Sequence, residues 1–187
     1  MDNKIILVTG GARSGKSSYA ESLAKDALGN TAYLATAIAF DQGMKDRIKK
    51  HKESRPGEWT TYEAYRDIYQ LIPEIAKSHS TLLLDCMTIM VTNLMFDHEP
   101  MDWDTVSHEE IDKIEEGIKI QIKKLLEACR EQDLKLIVVT NEVGMSIVPE
   151  NRLSRIFRDM AGRMNQIIAQ EADEVYLVVC GLPIKIK

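Results

Sequence analysis

The sequence predicts a three-layer α/β fold built on a mostly parallel central sheet. Short apolar runs (KIILVT, TLLLD, LKLIVVT, EVYLVVC) alternate with longer stretches of helical spacing. These runs are apolar throughout rather than at every second residue, the pattern of parallel strands covered on both faces. No Pro/Gly/Ser-rich linker, internal repeat or low-complexity tract interrupts the 187 residues, so residues 1–187 are expected to form a single domain.

Lys4 to Thr9 reads as the first buried strand. Lys16 to Leu28 reads as a helix, with Gly29-Asn30 as its stop. Thr31 to Thr36 is a second strand. Asp41 to Arg55 is charged and helical in pattern until Pro56 ends it. Trp59 to Glu63 reads as a short extended piece, Arg66 to Ser78 as a helix and Thr81 to Asp85 as a buried strand. Met87 to Phe96 is an apolar helix whose methionines suit core or subunit packing. Asp97 to His108 is acidic and irregular. A long amphipathic helix over Glu109 to Glu131, a strand over Leu134 to Thr140, a helix over Glu150 to Ala172 and a strand over Glu174 to Cys180 complete the pattern.

Hydrophobic residues make up 44% of the chain and charged residues 28%, as in ordinary globular proteins. A net charge of −5 argues against nucleic acid or a membrane surface as general partner. No apolar run reaches the length of a membrane span, and the N-terminus lacks the pattern of a signal peptide. The three cysteines, Cys86, Cys129 and Cys180, are far apart and show no metal-ligand spacing. Cys180 ends an apolar run and reads as a small core residue. Free thiols and a cytosolic location are expected.

Gly10-Gly11-Ala12-Arg13-Ser14-Gly15-Lys16-Ser17 fits G-x-x-x-x-G-K-[ST] without a mismatch, between a strand and a helix. Each part has a physical task. Glycines let backbone N–H groups turn inward around phosphate oxygens. The helix N-terminus adds a positive dipole end. Lys16 can neutralise β and γ phosphates, and the Ser17 hydroxyl can ligate Mg²⁺. An acidic partner is needed at a neighbouring strand end. Asp85 closes TLLLD and fits that role, or caps the next helix. Glu142, just after LKLIVVT, is a second carboxylate at the same kind of position.

Of the four histidines, His79, His98 and His108 lie in polar stretches that read as surface loops or helix ends. His51 lies in Asp46-Arg47-Ile48-Lys49-Lys50-His51-Lys52-Glu53-Ser54-Arg55-Pro56. On a helix, Arg47, His51 and Arg55 share a face. Surrounding cations disfavour the protonated imidazole, leaving a ring nitrogen free to attack a phosphorus. The other reading is a solvated basic helix face.

Several segments together carry a resemblance over nearly the whole chain: GGARSGKS, ATA with Asp41 and Met44, RIKKHKESRP with Trp59, DCMTIMVTNLMF, TNEVGMSIVPENRLSRIFRDMAGRMNQIIA and the terminal GLPIKIK. The chain resembles the bifunctional adenosylcobinamide kinase / adenosylcobinamide-phosphate guanylyltransferases of cobalamin biosynthesis. The resemblance implies a P-loop NTPase fold like the RecA core and a homotrimer. It implies phosphorylation of adenosylcobinamide by ATP or GTP, then transfer of GMP from GTP through a guanylyl-histidine at His51. It also implies nucleotide contacts at Gly10 to Ser17, Thr36, Ala37, Lys52, Glu53, Ser54, Arg55, Glu63 and Asp85. Where the family usually has an acidic residue in D-x-E-M, this chain reads Asp41-Gln42-Gly43-Met44, losing a charge and weakening a helix start.

Two choices stay open in the sequence. The base of the kinase step is Asp85 or Glu142. Arg152, Arg155, Arg158 and Arg163 either meet substrate or form a solvated or subunit-facing helix surface. The competing functions are a P-loop small-molecule kinase without the guanylyl step and a nucleotide-controlled switch.

Overall fold

The computed structural model describes residues 4–37, 56–98 and 100–187. A seven-stranded sheet runs through the described residues in the order β3-β2-β4-β5-β1-β6-β7. The strands are β1 (Ile5–Gly10), β2 (Thr31–Ala35), β3 (Thr60–Glu63), β4 (Thr81–Asp85), β5 (Lys135–Asn141), β6 (Glu174–Val179) and β7 (Leu182–Lys185). β1 to β6 are mutually parallel, and β7 returns antiparallel to β6. This bears out the three-layer, mostly parallel α/β expectation.

The period of two in each strand divides the core between the two faces. Leu7, Leu34, Leu84, Leu136 and Val138 point to one side, beneath α3 (Met87–Phe96), α4 (His108–Glu131) and α5 (Arg152–Glu171). Ile6, Val8, Tyr33, Leu83, Ile137 and Val139 point to the other, against Ala20 and Ala24 of α1 (Lys16–Lys25). α4 buries Ile111, Ile114, Ile118, Ile122 and Leu125, a stripe of helical period, and its cap residue Ser107 accepts from the Glu110 N–H. In α3, Met87, Met90, Val91, Leu94 and Met95 are all buried, the core reading of that helix.

Four sequence expectations need correction. The helix expected over Arg66 to Ser78 is a 3₁₀ turn (Ile68–Gln70) followed by the short α2 (Ile72–Ala76). Asp67 takes the left-handed conformation, and Gln121 of α4 binds both its N–H and its carboxylate, so a side chain replaces the helical ladder there. Pro73 then opens α2 rather than interrupting it. α1 stops at Lys25, short of Leu28. Cys180 is exposed, at φ 52° in the tight β6–β7 turn, not a core residue. The strand β7, formed by the terminal GLPIKIK, was not foreseen, because its side chains are exposed and give no buried-strand pattern.

The carboxyl ends of five parallel strands, Gly10, Ala35, Glu63, Asp85 and Asn141, come out on one edge of the sheet. Open α/β sheets collect their ligands on that edge.

Candidate active site

Residues 10–17 leave β1 and enter α1, the placement their sequence requires. A Cβ on Gly10 would lie 2.5 Å from the Val178 carbonyl oxygen and 2.6 Å from Ser14 Oγ, so only glycine fits. Gly15 caps α1 at φ 95°, where a side chain is strained, and its Cβ position lies 3.0 Å from Gly181 Cα. Arg13 is also left-handed, at φ 58°. The Gly181 N–H donates to the Ser14 carbonyl at 2.8 Å, so the β6–β7 turn braces the loop. Lys16 is buried, with Nζ donating to the Gly11 carbonyl at 3.0 Å, folded back over the loop. Ser17 is half-buried in the first turn of α1.

Asp85 and Thr36 meet at the ends of β4 and β2. Asp85 is half-buried, and its Oδ2 accepts from the Tyr33 hydroxyl at 3.0 Å. The Asp85–Cys86 peptide is cis. Thr36 Oγ1 donates to the Cys86 carbonyl at 2.8 Å and accepts from its N–H at 3.0 Å. Asn93 of α3 donates to the Thr36 carbonyl at 2.7 Å. These three bonds fix the end of β2 to the start of α3. The cap residue of α3 is Cys86, with no side-chain cap bond, so Asp85 does not serve as the helix cap. Burial pushes the Cys86 thiol up to about 11, and the Asp85 charge adds to it while Lys16 opposes it. Cys86 is therefore a thiol and no nucleophile at neutral pH.

Glu142 stands on the other side. Its N–H donates to the Gly10 carbonyl at 3.0 Å, which puts it beside the start of the loop. Its Oε1 accepts from the Gly144 N–H at 2.8 Å. Glu142 lines a cleft of about 700 Å³ with Leu7, Thr9, Val175 and one side of α5. The Thr9 hydroxyl in that wall is buried and meets no hydrogen-bond partner among the described residues. Beneath it, Thr88, Thr140 and Asn165 form a closed polar network.

The four arginines divide into two pairs. Arg152 donates to the Trp103 and Val106 carbonyls at 2.8 Å each, and Arg155 donates to the Pro149 and Glu150 carbonyls. Both hold loops. Arg158 and Arg163 line the cleft. Arg158 binds Asp159, and Arg163 makes a two-pronged pair with Glu115 at 2.5 and 2.7 Å that raises its pKa further.

Glu63 is exposed at the end of β3, level with Ala35, and Ala37 is half-buried two residues beyond β2. His51, with Lys52, Glu53, Ser54, Arg55, Asp41, Gly43 and Met44, lies outside the described residues. Among the described residues, no group of three or more His, Cys, Asp or Glu is placed to hold a metal ion. Mg²⁺ in nucleotide sites needs less, one or two protein oxygens besides phosphates and water, and a serine hydroxyl with one carboxylate is that donor set. Sequence reading missed Tyr33 and Asn93. The available signal was a phenol inside the buried strand TAYLAT, whose hydroxyl needs a partner, and an amide within the apolar MTIMVTNLMF.

The model of the cobinamide kinase / cobinamide phosphate guanyltransferase family matches residues 6–186. Three curated relatives agree. The bifunctional adenosylcobalamin biosynthesis protein CobU of Salmonella typhimurium is 48% identical over 98% of this chain and 99% of its own length. CobU of Escherichia coli is 46% identical over the same shares. The bifunctional adenosylcobalamin biosynthesis protein CobP of Pseudomonas aeruginosa is 36% identical over 97% of this chain and 96% of its own. Since the match runs from the first strand to the last, the chain belongs to the cobinamide kinase / cobinamide phosphate guanyltransferase family.

Proposed function

We infer that this chain runs both reactions of its family. It phosphorylates the aminopropanol hydroxyl of adenosylcobinamide with ATP or GTP. It then transfers GMP from GTP to that phosphate, giving adenosylcobinamide-GDP and pyrophosphate. The observation that carries this reading is the family match over residues 6–186, joined to a loop at residues 10–17 in which Gly10 and Gly15 are sterically required.

In the first reaction, the amides of Gly10, Gly11, Ala12, Arg13, Ser14 and Gly15 surround the phosphates, with Lys16 on the β and γ groups. Ser17 and Asp85 would hold Mg²⁺, which when bound neutralises phosphate charge. The substrate oxygen forms a bond to the γ-phosphorus as the bridging bond to the nucleoside diphosphate breaks. In the second reaction, a neutral nitrogen of His51 attacks the α-phosphorus of GTP and pyrophosphate leaves. The phosphate of adenosylcobinamide-phosphate then takes the guanylyl group and frees the imidazole. Splitting the transfer at a histidine replaces one hard displacement with two easier ones. Thr36, Ala37, Lys52, Glu53, Ser54, Arg55 and Glu63 supply the remaining nucleotide contacts, with Thr36 fixed to Cys86 as described.

The whole chain acts as one domain and assembles as a homotrimer. Exposed Leu182, Ile184 and Ile186 on and after the outer strand β7 support a subunit contact there. Three free cysteines support a cytosolic location. No helix among the described residues is long and apolar enough to cross a membrane.

The test is product analysis. Wild-type protein with adenosylcobinamide, Mg²⁺, ATP and GTP should yield the phosphate ester and then adenosylcobinamide-GDP by mass spectrometry. His51→Ala should stop at the ester. Absence of the ester with wild type, or the GDP product with the variant, would overturn the reading.

A further inference from the structure

The two carboxylates that compete in the sequence stand on opposite faces of the sheet. Asp85 lies two residues after Leu83, so it shares that residue's face, and it bonds Tyr33, on the side that α1 covers. Glu142 lines the cleft beneath α5, with Leu7 and Thr9 of the same face. The Lys16 charge acts on Cys86, next to Asp85, which ties that side to the nucleotide phosphates. The cleft opens beside the same loop from the other side, since the Glu142 N–H bonds the Gly10 carbonyl.

The cleft has the chemistry of a binding site. Its floor is apolar, at Leu7 and Val175. Thr9 lines it, with its hydroxyl buried and without a hydrogen-bond partner among the described residues. Gln166 offers an exposed amide. One stretch of helical wall has no side chain at all: a Cβ on Gly162 would meet no atom within 4 Å. Glu142 keeps one oxygen, Oε2, with no hydrogen bond from the described residues. The loop after Glu142 carries Met145 and Ile147, 83% and 92% exposed. Arg158, Asp159 and Arg163 add charged groups to the wall, so an apolar floor stands among amide and charged partners, which suits a large ring bearing primary amides and a short hydroxyl-ended arm.

We propose that this cleft receives the aminopropanol arm of the corrinoid acceptor and that Glu142 is the base of the kinase step. The assignment rests on the functional reading above and names the acceptor side of that same site. Glu142 takes the hydroxyl proton while the oxygen attacks the γ-phosphorus of ATP. The bond to the β-phosphate oxygen breaks, the nucleoside diphosphate leaves with the electron pair, and Glu142 passes the proton to solvent. Asp85 stays with the nucleotide.

Two variants test this with adenosylcobinamide and Mg-ATP. Gly162→Leu fills the cleft from a helical position where a larger residue is well tolerated. Its KM for adenosylcobinamide should rise at least tenfold, with the melting temperature and the Kd for ATP held. Glu142→Gln keeps the shape and removes the base. Its kcat should fall by on the order of 100-fold or more, with KM and the Kd for ATP little changed. An unchanged KM in Gly162→Leu places the acceptor elsewhere. A kcat within a few-fold of wild type in Glu142→Gln removes the base. If wild type itself makes no phosphate ester, the functional reading falls, an outcome separate from a wild type that turns over and variants that match it.

Discussion

The hydroxyl of Tyr33 on β2 reaches diagonally across the strand pair to donate a 3.0 Å hydrogen bond to Oδ2 of Asp85 on β4. Tyr33 is buried and packs beside Trp59 at 6.5 Å between ring centres. The bond fixes one carboxylate oxygen of Asp85. Tyr33→Phe should cost about 1 kcal/mol of stability, the net value of one such bond. It should also raise the Mg²⁺ concentration for half-maximal kinase activity several-fold. A metal titration of both proteins checks this, and identical curves would show that Asp85 needs no such support.

Gly10 and Gly11 are adjacent and should respond oppositely to alanine. The Gly10 Cβ would meet backbone at 2.5 Å, whereas the Gly11 Cβ would meet nothing within 4 Å. Gly10→Ala should lose about 1–3 kcal/mol as an overpacking substitution. Gly11→Ala should stay within about 0.5 kcal/mol of wild type. Urea melts of the two variants read the difference directly.

Cys86 and Cys129 are buried, and burial pushes their thiols up to about 11 and about 12. Cys180 is exposed. Thiolate is the reactive form, so iodoacetamide near neutral pH should modify one cysteine of three in the native protein. Peptide mapping should place the label on Cys180. Rapid modification of Cys86 would contradict its packing against Thr36.

The Glu174 carboxyl is held down to about 2, first by the Tyr176 hydroxyl at 2.6 Å and then by Lys185 and Lys4 at 3.2 Å. A folded-state pKa below the unfolded value stabilises the fold above the ordinary carboxylate range. That stability drains away as pH falls from about 4.3 towards 2. After screening at this partly exposed site the effect is on the order of 1 kcal/mol. Glu174→Gln should therefore flatten acid unfolding across that window. Equal acid slopes for both proteins would show that the cluster carries no linkage.

The sheet was legible because β1, β2, β4 and β5 are buried nearly throughout and write themselves as apolar runs, whereas the parallel outer strand β3 is mostly exposed along TTYE. β7 was not, because an exposed outer strand needs no apolar pattern. The Arg66 to Ser78 stretch misled for another reason. Its helical spacing is real, but Gln121, distant in sequence, captures Asp67 and breaks it. In the site, the phosphate loop was legible because Gly10 and Gly15 answer local steric demands. That Asp85 and Glu142 leave opposite faces of the sheet was not, since it depends on the strand each side chain ends. The four arginines of α5 look alike in sequence, yet Arg152 and Arg155 hold carbonyls while Arg158 and Arg163 face the cleft.

The most direct test of the account uses GTP labelled on the α-phosphate. The purified protein is incubated with it and Mg²⁺ beside His51→Ala, and the protein is examined for acid-labile, alkali-stable label. Transfer through His51 requires label on wild type and none on the variant. Wild type that binds GTP without becoming labelled, or a variant labelled as fully as wild type, would contradict transfer through His51.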